Sequence, residues 1–164
     1  MQIRTIIEED YEQVLALQNH IWTPYNSPVF DQKWTVDDIL KRRGSRADIL
    51  IAVESDQVLG MLSYNPMYPF EQGDHVVTFG LAVHPNAQGK GVGKALLLAF
   101  FELAHSLDFL KISMHVTAGN SSAIALYEKM GFQLEAKLEG NLRINGVFHD
   151  NLMYGKWLEG QDAG

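Results

Sequence analysis

The sequence contains no cysteine among its 164 residues. This absence excludes disulfide bonds, thiolate ligands for zinc and a cysteine nucleophile within the chain. A chain without cysteine suits a reducing compartment, and we expect a cytoplasmic protein. No apolar run reaches the ~18 residues that a membrane span requires, and the first residues carry acids without a long apolar core. The sequence therefore predicts neither a membrane partner nor a signal peptide.

Basic residues are fewer than acidic ones, with 13 Lys and Arg against 20 Asp and Glu and a net charge of −7. A nucleic-acid-binding protein usually presents a basic face, so this balance argues against a nucleic-acid partner. It is compatible with a cationic substrate such as an amine. The length suits one domain, which we expect to span residues 1–158 and to be followed by a flexible tail at residues 159–164.

Hydrophobic periodicity and turn residues divide the chain into seven strands and four helices. The predicted strands cover residues 3–7, 48–54, 58–68, 75–83, 111–117, 132–138 and 147–155. The predicted helices cover residues 11–20, a short segment from residue 35, residues 91–107, and a segment that starts at residue 120 or 121 and ends before residue 131. Asp10 is expected to cap the first helix, and Thr35 with Asp38 the second.

The order of these elements predicts an α/β fold. A helix connects the fourth and fifth strands, so these two strands should be parallel. The other neighbouring strands are joined like hairpins and should be antiparallel. The result is a mixed sheet with helices on both faces.

A glycine-rich turn separates the fourth strand from the long helix. Gly89, Gly91 and Gly93 remove side chains from this turn, so its backbone N–H groups can approach an anion closely. The start of the helix adds free N–H donors and a partial positive charge, and Lys90 and Lys94 add full charges. This combination predicts a site for a pyrophosphate.

Two other phosphate-binding motifs do not match the turn. A Walker loop requires Ser or Thr after Gly-Lys, whereas Ala95 follows Gly93 and Lys94. A dinucleotide fingerprint requires a third glycine where Lys94 stands. A glycine-rich connection that binds no ligand is the alternative. Gly80, inside the fourth strand, indicates either a β-bulge that turns nearby N–H groups toward a ligand or a site of close packing.

Two motifs in this order resemble the GNAT superfamily of N-acetyltransferases. The first is Val83-x-Pro85-x-x-Gln88-Gly89-x-Gly91-x-Gly93, and the second is Asn120-Ser-Ser-Ala123-x-x-Leu126-Tyr127-x-x-x-Gly131-Phe132. The resemblance implies a seven-stranded mixed sheet whose strands 4 and 5 splay apart. It also implies an enzyme that transfers the acetyl group of acetyl-CoA directly to a primary amine of a small molecule, an amino acid, a polyamine or a protein, without a metal.

By this resemblance, three parts of the chain hold acetyl-CoA. The end of strand 4 pairs with the pantetheine arm and holds the thioester carbonyl through Leu81, Ala82 and Val83. The pyrophosphate is held by the turn and the helix start, which are Gln88, Gly89, Lys90, Gly91, Val92, Gly93 and Lys94. Asn120 and Ala123 lie along the far side of the cofactor.

The resemblance also suggests the catalytic residues. Tyr127 matches the family's usual general acid, which protonates the departing CoA thiolate; packing in the core with Ile124 and Met130 is the alternative. Many relatives use a strand-4 glutamate as the base, and this sequence has none there. His115 stands where some relatives place a base, and histidine titrates in the useful range. A histidine with only a structural role in the strand is the alternative.

The substrate side is less defined. Trp22, Tyr25, Phe30 and Trp34 either wall an acceptor pocket or anchor a loop to the core. His75 and His84, which flank strand 4, are weaker candidates for the base. Glu139 and Asp150 are candidates to hold a cationic amine, and His149 with Asp150 either touches the substrate or forms a solvated turn pair. A homodimer through the last strands is an expectation by analogy. Two other functions fit the same motifs: transfer of another acyl group from its CoA thioester, and a non-catalytic regulatory module that binds CoA.

Overall fold

The computed structural model describes residues 1–21 and 33–158, and within them the chain forms seven strands and four helices. The strands are β1 (Gln2–Thr5), β2 (Asp48–Glu54), β3 (Gln57–Pro66), β4 (Val76–Val83), β5 (Lys111–Thr117), β6 (Gln133–Ile144) and β7 (Val147–Trp157). The helices are α1 (Tyr11–His20), α2 (Val36–Lys41), α3 (Val92–Ser106) and α4 (Ser121–Lys129). Trp22, Tyr25, Phe30 and the predicted tail lie outside the described residues.

All of these strands join one mixed sheet in the order β1-β2-β3-β4-β5-β7-β6. β4 and β5 are parallel, as predicted from the helix between them, and the other neighbouring pairs are antiparallel. The parallel ladder is short. It pairs Val76 with Lys111 and Val77 with Ile112, after which the two strands separate. The predicted splay is confirmed, and it leaves a gap between the C-terminal halves of β4 and β5.

Each face of the sheet carries a hydrophobic core. The larger core lies under α3 and α4 and includes the fully buried Leu96 and Phe100. The smaller core lies under α1 and α2 and includes Val14 and Ile39. The prediction of helices on both faces is therefore correct. Among the described residues, no helix has the length and hydropathy that crossing a bilayer requires.

A glycine in β3 sets how closely α3 approaches the sheet. A Cβ atom at Gly60 would lie 2.9 Å from Val92 Cγ1 and 3.0 Å from the carbonyl oxygen of Ala82. Any larger residue at position 60 must therefore push the first turn of α3 away from β3 and β4. This contact positions the start of α3 beside the end of β4.

The last hairpin is longer than predicted, because β6 continues to Ile144 and β7 to Trp157. An irregularity between Leu138 and Leu142 interrupts their register without ending the pairing. Gly140 adopts a positive φ of 62° there, and its N–H donates to Asp150 Oδ1 at 2.9 Å. This contact across the hairpin joins two stretches that the sequence alone reads as one strand and a loop.

The ends of three helices test the predicted caps. Thr35 and Asp38 form the predicted capping box of α2, and Asn120 caps α4 by accepting a hydrogen bond from the Ala123 N–H. Asp10 stands at the predicted N-cap position of α1, but its side chain makes no capping hydrogen bond to that helix. Its carboxylate instead binds the Arg4 guanidinium at 2.7 and 3.0 Å and accepts the Ile7 N–H at 2.8 Å.

This contact joins β1 to the segment before α1, and it makes stability depend on pH. Asp10 is 6% exposed, and the hydrogen bonds from Arg4 lower the pKa of its carboxyl group. A lowered pKa in the folded state stabilises the fold above the unfolded pKa of about 3.9, and this stabilisation is lost as pH falls through the folded value.

We predict that Asp10→Asn lowers the free energy of unfolding by about 2 kcal/mol at pH 7, because the Arg4 guanidinium loses its charged partner. Urea denaturation of the variant and the wild type from pH 7 downward should show the difference shrinking below about pH 4. Asp74→Asn, at an exposed loop position, is the matched control and should be nearly neutral. A difference that stays constant through acid pH contradicts the prediction.

Candidate active site

A cavity of about 820 Å³ opens where β4 and β5 separate. Its walls are the ends of these two strands, the turn after β4, the first turn of α3 and one side of α4. The predicted cofactor-binding residues that line it are Leu81, Ala82, Val83, Gln88, Gly89, Gly91, Val92, Gly93, Lys94, Asn120, Ala123 and Tyr127. Lys90 is exposed and is not part of the lining. His115 lines the cavity, so the two predicted catalytic residues share one space.

The glycine-rich turn presents a row of free donors to this cavity. The backbone N–H groups of residues 88–94 make no hydrogen bond to a described residue outside the turn and α3, and Gly91 caps α3 without a side-chain hydrogen bond. Gly89 and Gly91 have positive φ angles of 77° and 80°. A Cβ atom at either position would meet nothing within 4 Å, so the space before these donors is open. The turn combines free amides with the positive end of a helix dipole, as an anion site requires.

The end of β4 supplies a second set of free backbone groups. Two hydrogen bonds fix which residues of β4 face β3. The His84 N–H donates to the Leu59 carbonyl at 2.7 Å, and the Met67 N–H donates to the Val76 carbonyl at 2.9 Å. In an antiparallel ladder alternate residues bond to the partner strand, so Leu81 and Val83 direct their N–H and C=O groups toward the gap. An extended chain in the gap can pair with them as a strand would.

The regular ladder also decides between the two interpretations of Gly80. Gly80 pairs with Ser63 in an unbroken register, so the predicted bulge is wrong. Close packing is wrong as well, because a Cβ atom at position 80 would meet only Ser63 Oγ, at 3.5 Å. The position is exposed and lines the cavity. Gly80 therefore leaves free space on the face of the sheet opposite α3.

Tyr127 lies between aromatic rings at the inner end of the cavity. Its ring meets Phe79 and Phe132 edge-on, with centroids 5.7 Å away in both cases. The side chain is 7% exposed, and among the described residues its hydroxyl has no hydrogen-bond partner. Burial raises the pKa of Tyr127 to about 12, so the phenol stays protonated at neutral pH.

His115 approaches the cavity from the other face of the sheet. Its neighbours Met114 and Val116 are buried in the larger core, and side chains alternate along a strand, so His115 points away from that core. The His115 ring is exposed, and its Nδ1 lies 3.0 Å from Asn151 Nδ2 on β7. The gap between β4 and β5 is what allows residues on opposite faces to line one cavity.

The weaker sequence candidates lie elsewhere. His84 Nδ1 accepts the Asn86 N–H within its own turn, and His75 stacks on Trp157. The Asp150 carboxylate accepts the Gly140 N–H and lies 3.4 Å from Lys137 Nζ, and these contacts lower its pKa.

The aromatic residue that precedes α2 anchors its loop. Trp34 packs against the smaller core and beneath the Arg42 guanidinium, 4.0 Å from the ring centroid. In the described part of the loop between α1 and α2, this contact supports the prediction that the aromatic residue anchors the loop to the core.

Glu139 and His149 are not among the described residues that line the cavity.

Sequence reasoning missed several residues of the site. Asn151, Lys129 and Leu142 line the cavity, and no motif marks them. Asn151 and Leu142 reach it through the pairing of the last three strands, which joins segments far apart in sequence. Lys129, by contrast, lies two residues after Tyr127 on α4, so the helix itself carried a usable signal.

The geometry fits the acetyl-CoA that the resemblance implies. The glycine-rich turn and the start of α3 suit a diphosphate, and the free edge of β4 suits the amide groups of a pantetheine arm. Lys94 and Lys129 are the described cations that line the cavity, and no described lining residue is acidic. No group of three or more residues able to hold a metal ion occurs in the described part of the chain.

Comparisons with known proteins agree with this geometry. The L-methionine sulfoximine/L-methionine sulfone acetyltransferase of Pseudomonas paraeruginosa is 28% identical over 112 residues, which are 68% of this chain and 60% of that protein. The mycothiol acetyltransferase of Renibacterium salmoninarum is 34% identical over 89 residues, which are 52% of this chain and 26% of that protein. The chain thus spans 60% or less of the length of these curated relatives.

A solved structure extends the likeness over nearly the whole chain. The crystal structure of smu.2055 from Streptococcus mutans superposes with a TM-score of 0.91 at 37% identity, covering 97% of this chain and all of that one. The sequence profile of the Acetyltransferase (GNAT) family matches residues 3–132. The splayed strands, the amide-rich turn and this match lead to one conclusion: the chain belongs to the GNAT family of acetyltransferases.

Proposed function

We propose that this protein transfers the acetyl group of acetyl-CoA to a primary amine. The observation that carries the proposal is the row of free N–H groups at residues 88–94, which lies beside the gap between β4 and β5. These groups would bind the pyrophosphate, and the free edges of Leu81 and Val83 would align the pantetheine arm. Acetyl-CoA supplies an activated acetyl thioester, which this arrangement would place between Tyr127 and His115.

The reaction needs two proton movements. The amine nitrogen bonds to the acetyl carbon, the bond from that carbon to sulfur breaks, the amine gives up a proton and the sulfur gains one. The Tyr127 hydroxyl has no competing partner among the described residues and would donate to the sulfur. With a pKa of about 12 against roughly 8.5 for a reference thiol, it stabilises the leaving sulfur mainly as a hydrogen-bond donor.

His115 is the proposed acceptor of the amine proton. It lines the cavity from the face opposite Tyr127, and Gly80 leaves room on that face. This face is where an acceptor can approach the thioester without displacing the cofactor. No covalent acetyl-enzyme is expected, because the described cavity lining contains no nucleophile paired with a base.

The acceptor we favour is an amino acid. The Pseudomonas relative is named for L-methionine sulfoximine and L-methionine sulfone, which are amino acids. The described lining of the cavity has cations and no carboxylate, so a polyamine would bring further ammonium groups to a site without partners for them. Protein amines, other acyl-CoA donors and a homodimer remain predictions from the sequence.

The first prediction of this function concerns substrates. Purified protein with acetyl-CoA should release free thiol in the presence of neutral L-amino acids, and more slowly with polyamines or peptides. Reactions without an amine give the background. Calorimetric titration should show that both acetyl-CoA and CoA bind. Binding without turnover across the panel favours a regulatory module. Faster release of free thiol from another acyl-CoA would identify that thioester as the preferred donor.

The proposed role of Tyr127 as the proton donor is tested by removing its hydroxyl. Tyr127→Phe should lower kcat by about a hundredfold, with little change in the affinity for acetyl-CoA, because the sulfur loses its donor. The phenol does not titrate below about pH 11, so the variant should keep the shape of the pH–rate profile. Tyr154→Phe is the matched control. Tyr154 is also buried, and its hydroxyl donates to Glu128 at 2.9 Å, outside the cavity lining. Equal kcat values for the two variants would remove Tyr127 from the mechanism.

The proposed role of His115 as acceptor of the amine proton is tested by removing its imidazole. His115→Ala should lower kcat/KM and flatten the fall in rate on the acidic side, because the group that accepts the amine proton is gone. The profile should be measured with one acceptor for all variants, so that the acceptor's own titration cancels. His105→Ala, at an exposed position near the end of α3, is the control and should match the wild type. An unchanged profile in His115→Ala assigns the base elsewhere.

A further inference from the structure

The residue that contacts His115 most directly was not marked by any sequence motif. Asn151 lies on β7 opposite Thr117, two residue pairs along from the pair formed by His115 and Met153. Its side-chain Nδ2 is 3.0 Å from His115 Nδ1. Residues 115 and 151 are diagonal neighbours on the same face, and both line the cavity.

This contact assigns different tasks to the two ring nitrogens. Because the Asn151 amide occupies the Nδ1 edge, Nε2 is the nitrogen left to meet an acceptor in the cavity. An amide NH₂ group can only donate, so the arrangement with Nδ2 toward the ring requires a bare Nδ1 and a proton on Nε2. A ring in that form is a hydrogen-bond donor toward the cavity and cannot accept the amine proton.

The Asn151 side chain also carries an acceptor oxygen, Oδ1, which would give the opposite assignment of the two ring nitrogens. If its plane turns by half a revolution, Oδ1 faces the ring and accepts a hydrogen bond from a protonated Nδ1. Nε2 then carries a lone pair toward the cavity. The same oxygen also stabilises the imidazolium that forms when Nε2 takes up a proton, because both ring nitrogens are then donors.

The charged and titratable groups around this pair are few. Lys94 and Lys129 line the same cavity, as does the neutral Tyr127. His149 precedes Asn151 by two residues on β7. The carboxylate of Asp150 is engaged by Gly140 and Lys137 in the last hairpin. Thr78 and Gly80, from β4, carry no titratable group. Among the described residues, Asn151 is therefore the side chain that contacts the His115 ring through a hydrogen bond.

We propose that Asn151 is a positioning residue that selects the tautomer of His115. With Nδ2 toward the ring, His115 rests with its proton on Nε2. With Oδ1 toward the ring, Nε2 is free to remove the proton from the amine as the nitrogen bonds to the acetyl carbon. The inference rests on the proposed function for its catalytic meaning, whereas the tautomer itself can be observed without turnover.

The test replaces the Asn151 amide, which can both donate and accept a hydrogen bond, with side chains that cannot do both. In Asn151→Asp the carboxylate can only accept, so it should hold the proton on Nδ1 and stabilise the imidazolium. Nitrogen-15 NMR of the His115 ring should show the neutral form protonated on Nε2 in the wild type and on Nδ1 in this variant. The acidic limb of the pH–rate profile should move to higher pH, with turnover retained above it.

Asn151→Leu removes both hydrogen-bonding ends at similar volume. It should lower kcat roughly tenfold, less than the ~10²–10⁴ that a general base itself contributes, with unchanged affinity for acetyl-CoA. In a His115→Ala background the same substitution should cost nothing further, because the residue that it positions is absent. Asn141→Asp, an equal change of charge at an exposed position of β6, is the control and should leave the tautomer as in the wild type.

Two results overturn the inference. One is the same neutral tautomer in the wild type and in Asn151→Asp. The other is an equal loss from Asn151→Leu whether or not His115 is present, which indicates a purely structural role. If His115→Ala alone leaves turnover intact, the proposed base fails, while the NMR comparison still decides whether Asn151 controls the ring.

Discussion

The site depends on two parallel strands that pair for two residues and then part. β4 is held by β3 on its other side, and β5 by β7 along its whole length, so both strands stay extended where they no longer touch each other. The parting leaves backbone donors and acceptors that lack partners, a state that proteins avoid in their interiors. A ligand with its own amide groups would satisfy them, which is the physical reason for proposing that the gap is a binding site.

The turn after β4 extends the same principle from a strand edge to a helix start. Gly89 and Gly91 allow the chain to reverse with positive φ angles, and Gly93 lies where a Cβ atom would be 3.2 Å from Leu126 Cδ2. The first two glycines expose amides, and the third lets α4 pack against α3. One short segment thus presents donors to a ligand and fixes the helix that carries Tyr127.

The sequence predicted the parts that depend on local chemistry. The strand, turn and helix from Val76 to Ser106 and the Asn120 cap follow from residues close together in the chain, and they lie where expected. Side-chain partners and strand pairing were not predicted. The Asp10 carboxylate binds Arg4, and the Gly140–Asp150 contact prolongs β6. The register of β5 on β7 brings Asn151 to His115, and hydrophobic periodicity does not encode which strands become neighbours.

The two cores divide the molecule by task. The core under α3 and α4 supports the turn and Tyr127, whereas the core under α1 and α2, with Val14 and Ile39, supports the face proposed for the acceptor. The sheet separates the two cores, but Ala82 on β4 and Ile21 at the end of α1 belong to the smaller core and also line the cavity. Substitutions in α1 and α2 that leave these two contacts in place would let the acceptor side vary in evolution while the donor site is kept.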